Sequence, residues 1–293
     1  MIRHRPNLMH DPSPNLSPKP RKALTLPSLS SPVKDAQGTR RYANMGKESA
    51  RKFRVSKSFP EMSIRFLVNC LVFVIDNLYK KRPYARFYVL ETVARVPYFS
   101  YLSVLHLYET LGIWRKADWL KVHFAQAWNE HHHLLIMESL GGNRRFVDRF
   151  LARFTALVYY WAIVFLYMLS PRHAYYFSQL IEEHAYHTYD NFVHRNAAKL
   201  KQLPAPIVAI NYYRDDDLYM FDEFQTSRRP YERRPVINNL YDVFVCIRDD
   251  EAEHVTTMIA CQHPKAQTTF KSPHAAYIIT PTSAADTEYE TFG

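Results

Sequence analysis

The chain has 293 residues, a length that allows one large domain or two small ones. Only 6 residues are glycine and 15% are aromatic, a composition that favours long helices over a turn-rich β fold. The formal net charge of +10 lies entirely in residues 1–60, which hold thirteen basic and three acidic residues, whereas the remainder carries equal numbers of both. The folded part is therefore electrically balanced, which argues against a nucleic-acid-binding surface.

The two ends of the chain differ in composition from its centre. Residues 1–60 are rich in Ser, Pro, Lys and Arg and lack an apolar run typical of a secretory signal, which predicts an organelle transit segment followed by a disordered arm. The alternative is a basic disordered tail without a targeting role, and composition does not separate a plastid from a mitochondrial transit segment. Residues 263–293 lack a periodic apolar face and are predicted to be mostly disordered. The folded domain should occupy residues 61–262.

The three cysteines, Cys70, Cys246 and Cys261, form no CxxC pair and no even framework. This spacing indicates free thiols in a reducing compartment rather than disulfides. It also argues against cysteine ligands for a metal ion.

Two predicted helices are unusually apolar. The first, over residues 62–79, has basic flanks and is too short to span a bilayer, which needs about 20 apolar residues. This pattern suits a helix that lies in the membrane interface, and the alternative is an ordinary core helix. The other, over residues 144–169, carries no charge from Phe154 to Ser170. Its hydropathy would allow a span, but the mean hydropathy of the whole chain, −0.34, favours one buried or membrane-surface face.

Helical periodicity predicts four further helices, over residues 84–111, 115–141, 172–200 and 236–262. Each contains a glutamate that we place on its inward face: Glu91, Glu130, Glu182 and Glu251. Between the last two helices, residues 201–235 hold four prolines and the run Asp215-Asp216-Asp217. That stretch predicts a solvated loop insert rather than a second metal site.

Two of the four helices carry a Glu-x-x-His pair, Glu130 with His133 and Glu251 with His254. Because residues i and i+3 share a helix face, each glutamate and its histidine point the same way. Carboxylate oxygen and imidazole nitrogen together suit iron. One such pair recurs by chance on many helices, but two pairs, together with single glutamates on two other helices, form the ligand set of ferritin-like di-iron bundles.

Further polar residues lie beside these pairs. Asn129 and Asp250 each lie one turn before a histidine of a pair, the usual place of a group that tunes a metal-binding imidazole. His131 and His132 lie off the ligand face and are not predicted to bind metal. The predicted fold is all-α: a ferritin-like four-helix di-iron bundle with two additional apolar helices on the membrane surface.

At these residues the chain closely resembles the alternative oxidase family, over roughly residues 60–262. The resemblance rests on four short sequence motifs. These are Leu90-Glu91-Thr92, Asn129-Glu130-His131-His132-His133-Leu134, Glu182-Glu183-His184-Ala185-Tyr186 and Arg248-Asp249-Asp250-Glu251-Ala252-Glu253-His254. The plastid terminal oxidase branch is the most similar, because Glu91-Thr92-Val93-Ala94-Arg95-Val96-Pro97-Tyr98-Phe99 and Phe221-Asp222-Glu223-Phe224-Gln225-Thr226-Ser227-Arg228 are typical of it. So is the insert before Arg248, which mitochondrial members lack.

The resemblance implies a di-iron quinol:oxygen oxidoreductase that oxidises two quinols and reduces O₂ to water without pumping protons. By matching position, the ligands of the two irons would be Glu91, Glu130, His133, Glu182, Glu251 and His254. Tyr189 matches the redox-active tyrosine of the family, and Arg86, Leu90 and Thr188 match its quinol pocket. The family is monotopic, which implies a membrane-surface protein, here on the stromal side of the plastid thylakoid membrane. A homodimer is left open.

Other readings differ in class. Within the family, a ubiquinol oxidase of the mitochondrial inner membrane is the alternative to a plastoquinol oxidase. A different di-iron enzyme would hydroxylate a quinone precursor or a lipid instead of making water. A non-enzymatic alternative is an iron-binding protein of the membrane surface.

Overall fold

The computed structural model describes residues 59–113, 117–214 and 218–263, and within these ranges all regular structure is helical. The acidic run Asp215-Asp216-Asp217, nearly all of the predicted transit segment and the C-terminal tail beyond His263 lie outside the described residues. The three cysteines are free thiols, as predicted. The predicted all-α class is confirmed.

Nine helices occupy the described ranges. Four of them carry the predicted ligands, two are the apolar helices, two short ones lie inside the predicted insert, and one follows directly after the first ligand-bearing helix. In chain order they are α1 Phe59–Leu78, α2 Pro83–Ala94, α3 Val96–Thr110, α4 Ala117–Ser139, α5 Phe146–Leu169, α6 Pro171–Leu200, α7 Ile207–Arg214, α8 Leu218–Phe224 and α9 Leu240–Cys261.

The single helix predicted over residues 84–111 is wrong, because two helices, α2 and α3, fill that range and meet at Arg95. Pro97 occupies the first turn of α3. A proline there lacks the N–H that would bond the carbonyl of Val93, and its ring would clash with that carbonyl in a continuous helix. The break falls between Glu91 on α2 and Tyr98 on α3, so two separate elements bring side chains to the site.

The extended loop predicted over residues 201–235 is also wrong, because α7 and α8 lie within it and are packed. Their aromatic side chains at Tyr212, Tyr213, Phe221 and Phe224 are buried in the main core. The four prolines and the acidic run of this segment favour a loop, so the sequence does not indicate its packing. The solvated loop predicted at Asp215-Asp216-Asp217 lies outside the described residues. The following helix, α9, begins at Leu240, where the Asn239 side chain caps it by accepting from the backbone N–H groups of the first turn.

Two apolar clusters flank the ligand-bearing layer of the bundle. On α6, Ile181 belongs to one cluster and Ala185 to the other, with Glu182 between them. On α9 the order along the chain is reversed, because Ile247 lies in the cluster that contains Ala185 and Met258, beyond Glu251, lies in the one that contains Ile181. The glutamates therefore sit in a dry layer between two hydrophobic ends, which confirms the predicted bundle with its ligands inward.

Helices α1 and α5 leave a broad apolar surface uncovered. Only Val68 is buried among the twenty residues of α1. On α5, Phe150, Leu157 and Trp161 are each more than half exposed, although the helix packs one side against the bundle. Of the described helices, α5 alone is long and apolar enough to cross a membrane. An apolar surface this extensive is typical of a protein or membrane contact.

A close approach fixes the end of α4 against α2. Gly141 has φ +78, and the N–H groups of Gly141 and Gly142 bond the carbonyls of Glu138 and Met137, which forms a Schellman stop. A Cβ at Gly142 would lie 2.5 Å from the Tyr84 carbonyl oxygen and 2.7 Å from the Tyr88 Cβ. Only glycine allows α4, which carries Glu130 and His133, to approach α2 this closely.

We expect Gly142→Ala to destabilise the protein by about 1–3 kcal/mol, the usual cost of overpacking. The expected fall in melting temperature is several degrees for a domain of this size. The measurement is thermal unfolding of the metal-free protein. Gly112→Asn is the control, because a side chain there meets nothing within 4 Å and asparagine tolerates its positive φ of +68. Equal stability of the wild-type and Gly142→Ala proteins would contradict the close approach.

Candidate metal centre

The six predicted ligand side chains converge from four helices. Glu91 comes from α2, Glu130 and His133 from α4, Glu182 from α6, and Glu251 and His254 from α9. All six are 0% exposed. Convergence of four carboxylates in a water-free layer is costly without a compensating positive charge.

These residues form two groups that share two members. In one group Glu91 and His133 meet Glu130 and Glu251, and in the other Glu182 and His254 meet the same two glutamates. Within each group the potential ligand atoms all lie within 4.8 Å of one another. The sharing places Glu130 and Glu251 between two positions, as the bridging carboxylates of a two-metal centre would be.

Both imidazoles turn Nδ1 toward the carboxylates. The Nδ1 atom of His133 lies 3.3 Å from Glu251 Oε1 and 3.7 Å from Glu91 Oε2. The Nδ1 atom of His254 lies 2.7 Å from Glu130 Oε1. The two rings are 6.5 Å apart between centroids. Each pair therefore presents a nitrogen and carboxylate oxygens to one small volume.

The donor set fits two divalent cations. Both oxygens of Glu130 and Glu251, one oxygen of Glu91 and of Glu182, and the Nδ1 atoms of both histidines are buried without a hydrogen-bond partner. Buried polar atoms are rarely left unpaired in this way. Four carboxylates would be neutralised by two divalent ions, and this combination of oxygen and nitrogen ligands suits iron.

The pKa shifts of the buried carboxylates also indicate that they lack a compensating positive charge. Burial, together with the neighbouring carboxylates of Glu251, Glu91 and Glu182, raises the pKa of Glu130 well above its usual range. Burial and the charge of Glu251 do the same to the pKa of Glu182. Burial lowers the pKa of His254 to about 4, so this imidazole is neutral at physiological pH and free to act as a ligand.

Asp250 supports the histidine of the other pair. Its Oδ2 atom lies 3.0 Å from His133 Nε2, although we expected it to act on His254, one turn further along α9. The same oxygen accepts hydrogen bonds from Asn129 Nδ2 at 3.0 Å and from the Tyr213 hydroxyl at 2.8 Å. Asn129 also donates to the Tyr212 hydroxyl. Asn129 and Asp250 thus belong to one network that links α4, α7 and α9.

Two tyrosines bond ligand carboxylates. The hydroxyl of Tyr189 donates to Glu91 Oε1, and its ring stacks on Phe87 with centroids 4.3 Å apart. The hydroxyl of Tyr98 donates to Glu182 Oε1 at 2.7 Å. Sequence reasoning missed Tyr98, because a tyrosine in an apolar helix reads as packing until its partner, 84 residues away, is known.

The three predicted quinol-pocket residues lie beside Tyr189 and Glu91, on the helices α2 and α6 that carry them. Arg86 Nη2 donates to the Thr188 hydroxyl at 3.1 Å, and Leu90 is buried one turn further along α2. The structure adds two residues that the sequence did not indicate. Asp76 on α1 is paired with Arg86, and His184 Nε2 lies 3.4 Å from the same guanidinium. An apolar surface helix is thereby linked to the residues beside Tyr189 and Glu91.

The remaining polar residues of the motifs lie outside both groups. His131 contacts Arg95, and His132 is buried with its ring stacked 4.1 Å from that of Tyr212. Glu253 is also buried, and its carboxylate accepts from the side chains of Ser227 and Arg228. None of these residues belongs to either potential metal group.

The chain is similar in sequence to a known protein family and to several of its members. A family model for alternative oxidase matches residues 45–263. The chain is 61% identical over 210 residues to "Ubiquinol oxidase 4, chloroplastic/chromoplastic" of Arabidopsis thaliana, which covers 72% of this chain and 59% of that protein. It is 30% identical to "Ubiquinol oxidase 2, mitochondrial" of Glycine max and 29% identical to "Ubiquinol oxidase 1a, mitochondrial" of Oryza sativa subsp. japonica, each over 69% of this chain and 55% of the relative.

The chain thus spans between 55% and 59% of the length of these three relatives. The segment matched by the family model contains the six glutamates and histidines of the two groups and the four helices that carry them. The match confirms the resemblance read from the motifs, and the chain belongs to the alternative oxidase family.

Proposed function

We propose that this protein is a di-iron quinol:oxygen oxidoreductase, in which two quinols reduce one O₂ to two waters without proton pumping. The observation that carries the proposal is the convergence of six fully buried ligand side chains from four helices into two groups that share Glu130 and Glu251. Membership of the alternative oxidase family supports the same reaction. In this proposal residues 61–262 are the oxidase domain.

The two irons would be held in matching ways. Glu91 and His133 would bind one iron, Glu182 and His254 the other, and Glu130 and Glu251 both. When bound, the pair of irons supplies a site where O₂ is bound and reduced. The chain contributes carboxylates that neutralise the metal charge, neutral imidazoles, and an apolar surround that keeps water out.

The quinol would bind beside α1, near Arg86, Leu90 and Thr188. The guanidinium and the hydroxyl can hold the oxygen atoms of a quinol head group, while apolar side chains cover its ring. Tyr189 follows Thr188 on α6 and donates to Glu91 Oε1. Tyr189 would give one electron toward the irons while its hydroxyl proton moves along this hydrogen bond to Glu91 Oε1. A quinol would then return one electron and one proton to the oxidised tyrosine, so that each quinol is oxidised in two one-electron steps.

The exposed faces of α1 and α5 support attachment to one leaflet of a membrane. Each helix pairs an apolar face with basic residues, which is the pattern of helices that lie in the interface. An apolar quinol would then reach Asp76 and Arg86 directly from the lipid. The chloroplastic relative from Arabidopsis thaliana supports a plastid location. We assign the stromal side of the thylakoid membrane and plastoquinol, with a transit segment in residues 1–60.

Oxygen uptake tests the proposed reaction. We expect purified protein loaded with two irons to consume one O₂ for every two quinols, to release no hydrogen peroxide, and to use plastoquinol faster than ubiquinol. Tyr189→Phe should keep its iron and lose most of this rate, because it retains the ring but not the hydroxyl. A hydroxylated product would indicate a different di-iron enzyme, and a faster rate with ubiquinol would indicate the mitochondrial type of activity.

Two glutamates on α9 separate ligand binding from general stability. We expect Glu251→Ala to abolish iron loading and quinol oxidation, because Glu251 belongs to both metal groups. Glu253→Ala should lower the melting temperature, because it leaves Arg228 without its buried carboxylate, yet retain iron and activity. Iron content per chain and oxygen uptake are the measurements. Equal loss of iron in the two variants would mean that the wrong face of α9 has been assigned to the metal.

Membrane attachment is tested by flotation with vesicles. We expect the double variant Phe150→Glu, Trp161→Glu to lose vesicle binding, because both side chains lie on the exposed face of α5. The matched control is Ile207→Glu, Val236→Glu, which changes two apolar residues outside α5 that are even more exposed. Unchanged binding of the α5 variant, or equal loss in the control, would contradict attachment through α5.

A further inference from the structure

The carboxylate of Asp250 is saturated with partners. Its Oδ2 atom receives Tyr213, Asn129 and His133 at 2.8 to 3.0 Å. Its Oδ1 atom is paired with the guanidinium of Arg233. Asp250 is fully buried, so these four groups replace all of its hydration.

Arg233 reaches this position from outside the four-helix bundle. It belongs to the irregular segment between α8 and α9, and only 10% of its side chain is exposed. Its Nη2 atom donates to the Cys246 carbonyl at 2.9 Å, and the guanidinium lies over the Phe221 ring at 5.2 Å from the centroid. The insert therefore places one positive charge beneath α9, directly behind the carboxylate that contacts His133.

We propose that Arg233 is a positioning residue for the metal centre and acts through Asp250 on His133. A neutral imidazole carries its proton on one nitrogen, and the partner of that nitrogen decides which one. With Nε2–H held by Asp250, the Nδ1 lone pair of His133 faces Glu91 and Glu251. The inference rests on the proposed metal centre and adds that the insert helps to build it.

The fork geometry explains why arginine stands at this position. One arm of the guanidinium holds Asp250 Oδ1 and the other holds a backbone carbonyl of α9, so the carboxylate is fixed in both distance and rotation. Without Arg233 the carboxylate keeps its three partners on Oδ2 but loses the anchor on Oδ1. It is then free to rotate, and the orientation of His133 is no longer fixed.

The competing explanation is that Arg233 only fastens the insert to the bundle. Its neighbour Arg234 is a matched control, because it is bidentate to Asp222, a carboxylate that is 1% exposed and contacts none of the six ligands. Both arginines belong to the same segment, and both neutralise a buried acid. They differ in that only the Arg233 side chain contacts Asp250, whereas Arg234 Nη1 donates to the Arg233 backbone carbonyl at 2.9 Å.

The test uses the full chain stripped of metal and titrated with cobalt(II) alone, followed by visible absorption. We expect Arg233→Met to weaken one of the two cobalt sites by about 10- to 100-fold, the range found for partners of metal-binding histidines. Arg234→Met should bind both ions as the wild type does, within about twofold. Thermal unfolding of the metal-free variants separates this effect from stability, since both changes should lower the melting temperature similarly.

A double-mutant cycle tests whether Arg233 acts through Asp250. In an Asp250→Asn background, Arg233→Met should weaken cobalt binding no further, because the carboxylate it anchors is gone. Arg233→Lys, which keeps the positive charge beside Asp250 but loses the second arm on the Cys246 carbonyl, should have a cobalt affinity between those of the wild type and the methionine variant. Equal cobalt affinity of Arg233→Met and Arg234→Met, a full additional loss in the Asp250→Asn background, or a lysine variant as weak as the methionine variant would each overturn the inference.

The same titration distinguishes this inference from the proposed function. A wild-type chain that binds no cobalt would refute the proposed metal centre itself. A wild-type chain that binds two ions while Arg233→Met binds them equally well would refute only the role of Arg233.

Discussion

Four glutamates packed in a dry layer repel one another, and this repulsion is the constraint on which the rest of the structure depends. Burial raises the free energy of each carboxylate, and mutual charge raises it further. Hydrogen bonds from Tyr98 and Tyr189 relieve one oxygen each on Glu182 and Glu91. The oxygens of Glu130 and Glu251 have no such relief, and these are the carboxylates shared by both groups. A pair of divalent cations would satisfy all of these oxygens.

The residues that surround the six candidate ligands have two tasks. The site needs apolar packing at both ends to stay dry, which the two clusters supply, and it needs fixed orientations for its imidazoles. In this chain the fixing groups come partly from outside the bundle. Tyr213 of α7 and Arg233 of the insert both bond Asp250, so a segment that supplies no ligand still bears on the geometry of His133.

The exposed apolar helix α1 is connected to the buried carboxylates through a few polar side chains. Helices α1 and α5 present exposed aromatic and aliphatic side chains, and Asp76 of α1 is paired with Arg86 on α2. Arg86 in turn bonds Thr188, the residue before Tyr189. A set of contacts therefore runs from the exposed apolar helix α1 to the Glu91 carboxylate, through Arg86, Thr188 and Tyr189.

The sequence by itself indicated most of the helices and the six candidate ligands, because both depend on local periodicity. A Glu-x-x-His pair shares a helix face wherever the helix lies, so Glu130 with His133 and Glu251 with His254 could be read directly. What the sequence misjudged depends on partners that are distant along the chain. Asp250 meets His133 across 117 residues, and Tyr98 meets Glu182 across 84.

Only the tertiary structure decided that the proline-rich insert is packed rather than solvated, and that its arginine lies behind a ligand. Helical spacing gives the direction of a side chain on its own helix and says nothing about which neighbour it meets. That neighbour is chosen when two apolar faces pack together, and the packing of α7, α8 and the following segment against α4 and α9 is a property of the whole fold.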